Sequence, residues 1–149
     1  MCWASAGGPP ARVEGVEGVS ATSCGERHAL VLTADGAVYA WGYGAAGTSP
    51  PVASSPLGLG DMQPRASPSR VEGLPPRVRG VAACHMHSLA VSEEGQVYSW
   101  GHGALGKLGH GDQGRQLKPT LVSELDGVCV ASVAGGVHGG HLHSRTRPI

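Results

Sequence analysis

The sequence predicts an all-β protein built from repeated antiparallel units, each about the size of one blade of a β-propeller. Three observations lead to this prediction. A segment of 29 residues recurs at a fixed offset of 59 with eleven identities. Each copy contains runs that alternate with the period of two typical of a β-strand. Glycine (25) and proline (11) leave few stretches long enough for three turns of helix.

The repeat pairs residues 19–47 with residues 78–106. The pairing then continues at an offset of 51, so that Leu57 corresponds to Leu108 and Pro68 to Pro119. The eight extra residues of the first copy (59 − 51) fall in a Ser/Pro-rich segment, which we expect to be a surface loop because loops tolerate changes in length. The chain therefore divides into the tail of a preceding unit (1–18), a unit with this insertion at 48–56 (19–77), a second unit (78–128), and the start of a third with an irregular tail (129–149).

Within each unit, the sequence predicts two strands joined by a tight turn. The first strand is rich in leucine and valine at alternate positions. The turn ends on glycine, which can take a positive φ. The return strand ends in Tyr-x-Trp-Gly and leads into a glycine-rich loop. In chain order the elements are strands at 28–33 and 87–92, turns at 34–36 and 93–95, and return strands at 37–41 and 96–100.

The third unit is incomplete. Residues 133–138 are in register with the start of a unit, but neither an Asp-Gly turn nor Tyr-x-Trp-Gly follows His138. Two full units and two partial ones cannot close a ring, so we expect an open arc. Such an arc exposes strand edges and blade faces, which predicts marginal stability and self-association through those edges.

Two motifs carry the repeat. In the first unit, Cys24-Gly-Glu-Arg-His28-Ala-Leu is followed by Asp35-Gly-x-Val-Tyr-x-Trp41-Gly. In the second, His87 through Gly101 is followed by Gly106-Lys-Leu-Gly-His-Gly-Asp112. These motifs resemble the repeat of the regulator of chromosome condensation family over about residues 10–138. The resemblance implies a piece of a seven-bladed β-propeller, with its blades defined by His28, Gly36, Tyr39, Trp41, Gly42, Gly47, His87, Gly95, Tyr98, Trp100, Gly101, Gly106, Leu108, Gly109 and Asp112.

The sequence indicates no cofactor, metal or catalytic site. Residues 42–47 and 101–106 fit the pattern G-x-G-x-x-G, but neither is followed by the helix that a phosphate-binding loop requires. Cys84-x-x-His87 has the spacing of half a zinc site, without a second pair at finger spacing. Because His28 and His87 recur in phase, we interpret both as strand-start residues held by hydrogen bonds. A Gly-x-Ser-x-Gly nucleophile motif is absent from the sequence.

Charge and composition narrow the partners and the compartment. Eleven basic and eleven acidic residues give zero net charge, which argues against binding to nucleic acid or to an anionic membrane. No apolar run approaches the ~20 residues of a membrane-spanning helix. Four cysteines without close pairing fit a reducing compartment. We therefore expect a cytoplasmic or nuclear protein.

The family resemblance implies a protein–protein interaction module of a regulatory or scaffold protein, and not an enzyme. Two alternatives stay open. One is a fragment of a guanine-nucleotide exchange factor for a Ran-type small GTPase, and the other is the substrate-recruiting propeller of a HECT-type ubiquitin ligase. We expect partner contacts in the loops at 48–56 and 106–112, at Thr48, Ser49, Lys107, His110 and Asp112.

Overall fold

The structure, a computed structural model, describes residues 12–42, 55–136 and 140–144. Within these ranges, antiparallel strands form two four-stranded sheets and one two-stranded sheet, each in sequential order. No helix in the described ranges is long and apolar enough to cross a membrane. The strands are β1 (Val19–Cys24), β2 (His28–Thr33), β3 (Val38–Gly42) and β4 (Arg65–Arg70); β5 (Val78–Ala83), β6 (His87–Ser92), β7 (Val97–Gly101) and β8 (Gln116–Leu121); and β9 (Val130–Gly135) and β10 (Gly140–Ser144).

The two strands predicted for each unit are confirmed. β2 and β6 have the predicted bounds, and β3 and β7 each lie one residue further along the chain than predicted. The turns between them require glycine, because Gly36 and Gly95 have φ of +86° and +87°. In both turns a serine or threonine at the end of the first strand ties the loop. Thr33 and Ser92 each accept a backbone hydrogen bond on their hydroxyl, from Ala37 and Gln96.

The sequence did not predict the outer strands β4 and β8. Each contains a proline, Pro68 or Pro119. A proline cannot donate a hydrogen bond to a ladder, so it is tolerated in a strand at the edge of a sheet. Both strands occupy that position, and each pairs irregularly with the return strand before it. Proline thus marks an edge strand here, although in an inner strand it would remove a hydrogen bond of the ladder.

The main apolar core lies between the first two sheets. It contains Leu30, Leu32 and Val38 from the first unit together with Ala90 and Trp100 from the second. Trp100 is fully buried. A tryptophan of this size dominates the burial at the joint. Neither unit could bury its face alone, which is the physical reason for the repeat.

The end of the predicted surface loop is buried in this joint. Ser55 has no exposed surface, and the carbonyl of Pro56 accepts hydrogen bonds from the Trp100 indole and the Ser88 hydroxyl, each at 2.8 Å. The expectation that the whole insertion lies on the surface is therefore wrong for these two residues. A backbone acceptor brought into the core needs buried donors, and the second unit supplies two. Residues 48–54 lie outside the described residues.

The third sheet packs on the second as the second packs on the first. β9 contacts both β5 and β6, and a small core of Val91, Val97, Val122 and Val130 fills the joint. The sequence shows no strand pattern after His138, yet β10 pairs with β9 through residues 140–144. The backbone of β10 follows an antiparallel register with β9, with an irregularity between His143 and Ser144.

Candidate protein-binding edge

The loops that could contact a partner lie along one edge of the arc, which we call the loop edge. It consists of the turns at residues 25–27 and 84–86 and the long loop at residues 102–115. These segments share one edge because His28 lies opposite Gly42 and His87 lies opposite Gly101 in the strand registers. The short glycine turns lie at the opposite edge, together with the connectors at residues 71–77 and 122–129.

Leu105 is the most exposed large apolar side chain of the described residues, at 79% exposure. It is also the only non-glycine residue among them with positive φ, at 63°. For a residue with a Cβ, the left-handed conformation costs roughly 1–2 kcal/mol. Strain of this kind clusters at sites of function, so an exposed leucine in this conformation is a candidate contact residue.

Four basic residues surround the base of the same loop, and we call them the basic cluster: His85, His87, His102 and Lys107. The loop is held against the neighbouring turn because the His102 amide donates to the Met86 carbonyl at 2.9 Å. His85 pairs with Glu26 of the adjacent unit. His87 is fully buried, and neither of its ring nitrogens has a hydrogen-bond partner among the described residues.

Burial sets the protonation of the basic cluster. It lowers the pKa of His87 to about 4, and the charges of Lys107, His85 and His102 contribute to this shift. Burial also lowers the pKa of His102, with Lys107 and His85 as additional causes. The pKa of Lys107 is lowered by burial in the same way. At neutral pH, the lowered pKa values therefore favour the neutral forms of His87 and His102.

His28 and His87 occupy equivalent positions but have different surroundings. The Ser88 hydroxyl donates to Pro56, so it accepts a hydrogen bond from Nε2 of His28 at 2.8 Å. His28 is thereby held as the Nε2–H tautomer across the joint. The interpretation of both histidines as hydrogen-bonded is met by the Nε2 of His28, while the Nδ1 of His28 and both ring nitrogens of His87 have no partner among the described residues. The residue that corresponds to Ser88 in the third unit is Gly139, which has no hydroxyl group.

Three of the predicted contact residues lie within the described part of the loop edge. Lys107 belongs to the basic cluster. The His110 Nε2 lies 2.9 Å from the Ser99 hydroxyl, and an Asp112 oxygen accepts the Gly114 amide at 2.8 Å, so both side chains hold the loop together. Thr48 and Ser49 lie outside the described residues.

Sequence reasoning missed Leu105, His85 and His102 as candidate contact residues. A signal was present, because His85 and His102 interrupt the repeat: their counterparts in the first unit are Glu26 and Tyr43. Positions at which the two repeat units differ are not fixed by the packing that both units share, so they are available for other roles.

The residues that define the repeat serve the scaffold. Trp100 is fully buried, while Trp41 and both matched tyrosines, Tyr39 and Tyr98, are half-buried. At Gly101, which has φ of +107°, a Cβ would lie 2.7 Å from the Met86 carbonyl oxygen. Gly42 is in the corresponding position with φ of +130°. Leu108 is buried, Gly106 and Gly109 have positive φ, and Gly47 lies outside the described residues.

The glycine loop of the second unit is closed by its own backbone. A Cβ on Gly103 would lie 1.8 Å from the Gly114 carbonyl oxygen, so this glycine packs against the far end of its loop. In the part of the chain that the structure describes, no group of three or more His, Cys, Asp or Glu side chains is placed to hold a metal ion.

The cysteines offer no activated thiol at this edge within the described ranges. Burial raises the pKa of the Cys84 thiol to about 11, so it stays protonated at neutral pH. Cys129 is free and exposed, and it lies at the opposite end of the second sheet, beside Glu94. Cys24 is disulfide-bonded, which the spacing of the cysteines did not predict and which differs from the expectation of a reducing compartment.

Comparison with known proteins gives a consistent assignment. The profile of the regulator of chromosome condensation (RCC1) repeat matches residues 35–91 and 94–140, and a second profile of the same repeat matches residues 19–48. The human E3 ubiquitin-protein ligase HERC2 is 40% identical over 117 residues, which are 78% of this chain and 2% of that protein. The chain thus spans only a small part of this relative.

Solved structures show the same architecture. Human WBSCR16 superposes with a TM-score of 0.69 at 25% identity, covering 93% of this chain and 33% of that one. Prp20p of Saccharomyces cerevisiae superposes with a TM-score of 0.70 at 24% identity, covering 87% and 32%, respectively. At the identity of Prp20p, the likeness concerns the fold alone. These superpositions confirm the prediction of antiparallel blades that belong to an incomplete propeller.

Proposed function

The chain belongs to the regulator of chromosome condensation (RCC1) repeat family, and from this premise we propose that it binds a protein partner through the loop edge. The observation that carries the proposal is Leu105, which is exposed and strained at the tip of the longest described loop. Burying a leucine side chain in a partner gains about 1.5–3 kcal/mol. The loop that carries this side chain is closed where Gly103 packs against Gly114, so little freedom is lost on binding.

We infer that the chain itself catalyses no reaction and acts by holding a partner in place. The match to the ligase HERC2 covers 2% of that protein and falls on the RCC1 repeats of this chain. Recruitment of a substrate to a ligase and nucleotide exchange on a GTPase both begin with such a binding step. The two alternatives therefore share a binding surface and differ in the step that comes after binding. A cytoplasmic or nuclear location remains part of the proposal.

Binding is tested first with the partners described for a family neighbour. Prp20p was studied for its binding to Gsp1p and histones, so Gsp1p and core histones are the probes. We expect Leu105→Asn to weaken binding about 10- to 100-fold, as the loss of one buried leucine predicts. Asparagine tolerates positive φ, so the free energy of unfolding should stay constant or rise. Calorimetric titration and urea unfolding measure the two quantities.

The matched control is Leu121→Asn, which removes another exposed leucine, 43% exposed, from the outer strand β8. It should leave binding unchanged. Equal affinities for the original chain and Leu105→Asn would contradict the proposed edge. Release of a fluorescent GDP analogue from Gsp1p, measured with the same samples, separates plain binding from exchange.

A further inference from the structure

The basic cluster is not required by the blade. His85, His102 and Lys107 correspond to Glu26, Tyr43 and Pro56 in the first unit, where the joint forms without any basic side chain at these positions. Since the first unit packs against its neighbour without basic side chains at these positions, packing alone does not explain why the second unit has them. Of the two complete units, only the second carries the cluster.

His87 provides a second, independent observation. It is fully buried, and both ring nitrogens lack a hydrogen-bond partner among the described residues. A buried polar group without a partner costs about 1–3 kcal/mol, so native structures rarely leave one. The equivalent His28 lies 2.8 Å from the Ser88 hydroxyl of the next unit. For His87, the residue that corresponds to Ser88 in the sequence of the next unit is Gly139, which has no hydroxyl. Among the described residues, the site therefore lacks the hydroxyl acceptor that His28 has.

The groups around His87 are mainly donors. Lys107 and His102 come from the long loop, and His85 comes from the turn before β6. The opposing acidic group is Glu26 on the neighbouring turn, which is engaged by His85. Arg27 lies on that same turn, and Cys84 is a buried, protonated thiol. The Lys107 ammonium together with the ring N–H donors of the histidines favours an anionic ligand.

From this arrangement we propose that the basic cluster binds a carboxylate side chain of an acidic segment in the protein partner, with Lys107 and His102 contacting the oxygens above His87. The proposal rests on the proposed function and adds the chemistry of the partner. Leu105 lies between His102 and Lys107 in the chain, so the acidic segment should also present an apolar residue. A carboxylate here would favour the protonated forms of His102 and His87, and binding should take up protons.

The test uses a fluorescein-labelled tetraglutamate peptide that ends in leucine, with the tetraglutamine version as its neutral match. Fluorescence anisotropy at low ionic strength should show binding of the first peptide and at least tenfold weaker binding of the second. We expect Lys107→Gln to lower the affinity for tetraglutamate about fivefold or more and Lys107→Arg to keep it. Lys118→Gln removes the other lysine of the chain, on strand β8, and should have no effect.

Proton uptake gives a readout that a merely structural role would not produce. Affinity should rise as the pH falls from 7.5 to 6, and His102→Gln should flatten this dependence. Equal binding of the two peptides, equal effects of Lys107→Gln and Lys118→Gln, or binding of inorganic phosphate in preference to tetraglutamate would overturn the proposal. Should Leu105→Asn still weaken binding to Gsp1p or histones, the proposed function stands although the carboxylate site fails.

Discussion

At the scale of single residues, the joint between the two complete units depends on a few buried polar groups. Pro56 offers one carbonyl, and Trp100 and Ser88 each donate to it at 2.8 Å. Ser88 in turn accepts from His28. Bonds linked in this way stabilise more than the same bonds taken separately, because each bond polarises the next. The Nδ1 of His28 is the one buried atom of this chain of bonds without a partner among the described residues.

Replacing the indole tests this joint. Trp100→Phe keeps an aromatic ring but removes the N–H donor, and we expect the free energy of unfolding to fall by about 1–2 kcal/mol. Trp41→Phe is the matched control, because Trp41 is only half-buried and should change stability by less than about 0.5 kcal/mol. Urea unfolding of both variants measures the difference. Similar losses would show that the bond to Pro56 contributes nothing specific.

The protonation of His28 makes this joint sensitive to acid. Burial and the charge of His87 lower the pKa of His28 from 6.5 to about 4. The unfolded chain then binds more protons than the folded one between these values, so stability is full above pH 6.5 and is lost as the pH falls towards 4. The shift corresponds to at most ~3 kcal/mol.

We expect the urea midpoint to fall steadily between pH 6.5 and 4. His28→Gln should reduce the slope, since glutamine can still donate to Ser88 and does not titrate. Burial also lowers the pKa of His87, so His87 accounts for the pH dependence of the urea midpoint that remains in this variant. A midpoint that is independent of pH over this range would contradict the buried neutral state of both histidines.

At the scale of elements, the tight turns do more than reverse the chain. Gly36 contacts the connector to the next unit, where an added Cβ would lie 2.9 Å from the Arg77 Cα. The Val78 amide also donates to the Gly36 carbonyl at 3.3 Å. Gly95 has the same relation to Cys129 and Val130. Each turn therefore fixes the position of the strand that begins the following sheet.

Alanine substitutions separate the two roles of the turn. Gly36→Ala suffers both from positive φ and from the collision with Arg77. Gly73→Ala has the same φ, +87° against +86°, but nothing lies within 4 Å of its added Cβ. We expect Gly73→Ala to cost about 1 kcal/mol and Gly36→Ala to cost at least ~1 kcal/mol more. Thermal unfolding tests this, and equal costs would mean that the connector simply moves aside.

At the scale of the whole molecule, the described residues form two complete sheets and a two-stranded one stacked side by side. Units in such an array stabilise one another through their joints, so the last sheet, with one joint and two strands, contributes least. Among the described strands, β10 pairs with β9 only. An edge of this kind readily pairs with another chain.

We therefore expect the chain to self-associate as its concentration rises and to unfold over a broad range of urea. Sedimentation velocity at several concentrations and urea unfolding monitored by circular dichroism measure these properties. A monodisperse monomer with a sharp, reversible two-state transition would contradict the expectation. Removal of residues 140–149 should reduce the self-association if β10 supplies the exposed edge.

Local patterns in the sequence are enough to predict the unit and its inner strands. Alternating leucine and valine in β2 and β6, the glycine turns and the closing Tyr-x-Trp-Gly are local signals, and each reflects the geometry of one or two neighbouring strands. The same repetition made the family recognisable. The edge strands β4 and β8 escaped prediction because their prolines are acceptable only at a sheet edge, and no local pattern says where the edge lies. The edge strands β1 and β5, which contain no proline, were not predicted either.

The contacts between units, in contrast, depend on the tertiary structure. Three features depend on segments that are apart in the chain. Pro56 is buried and bonded to Trp100, and His28 has a partner while His87 has none among the described residues. The basic cluster forms at the base of the loop that carries Leu105. Burial and long-range contact set these properties, and a single sequence does not show which residues will be brought together. The scaffold was therefore predictable from local patterns, whereas the candidate binding site emerged from the packing of one unit against the next.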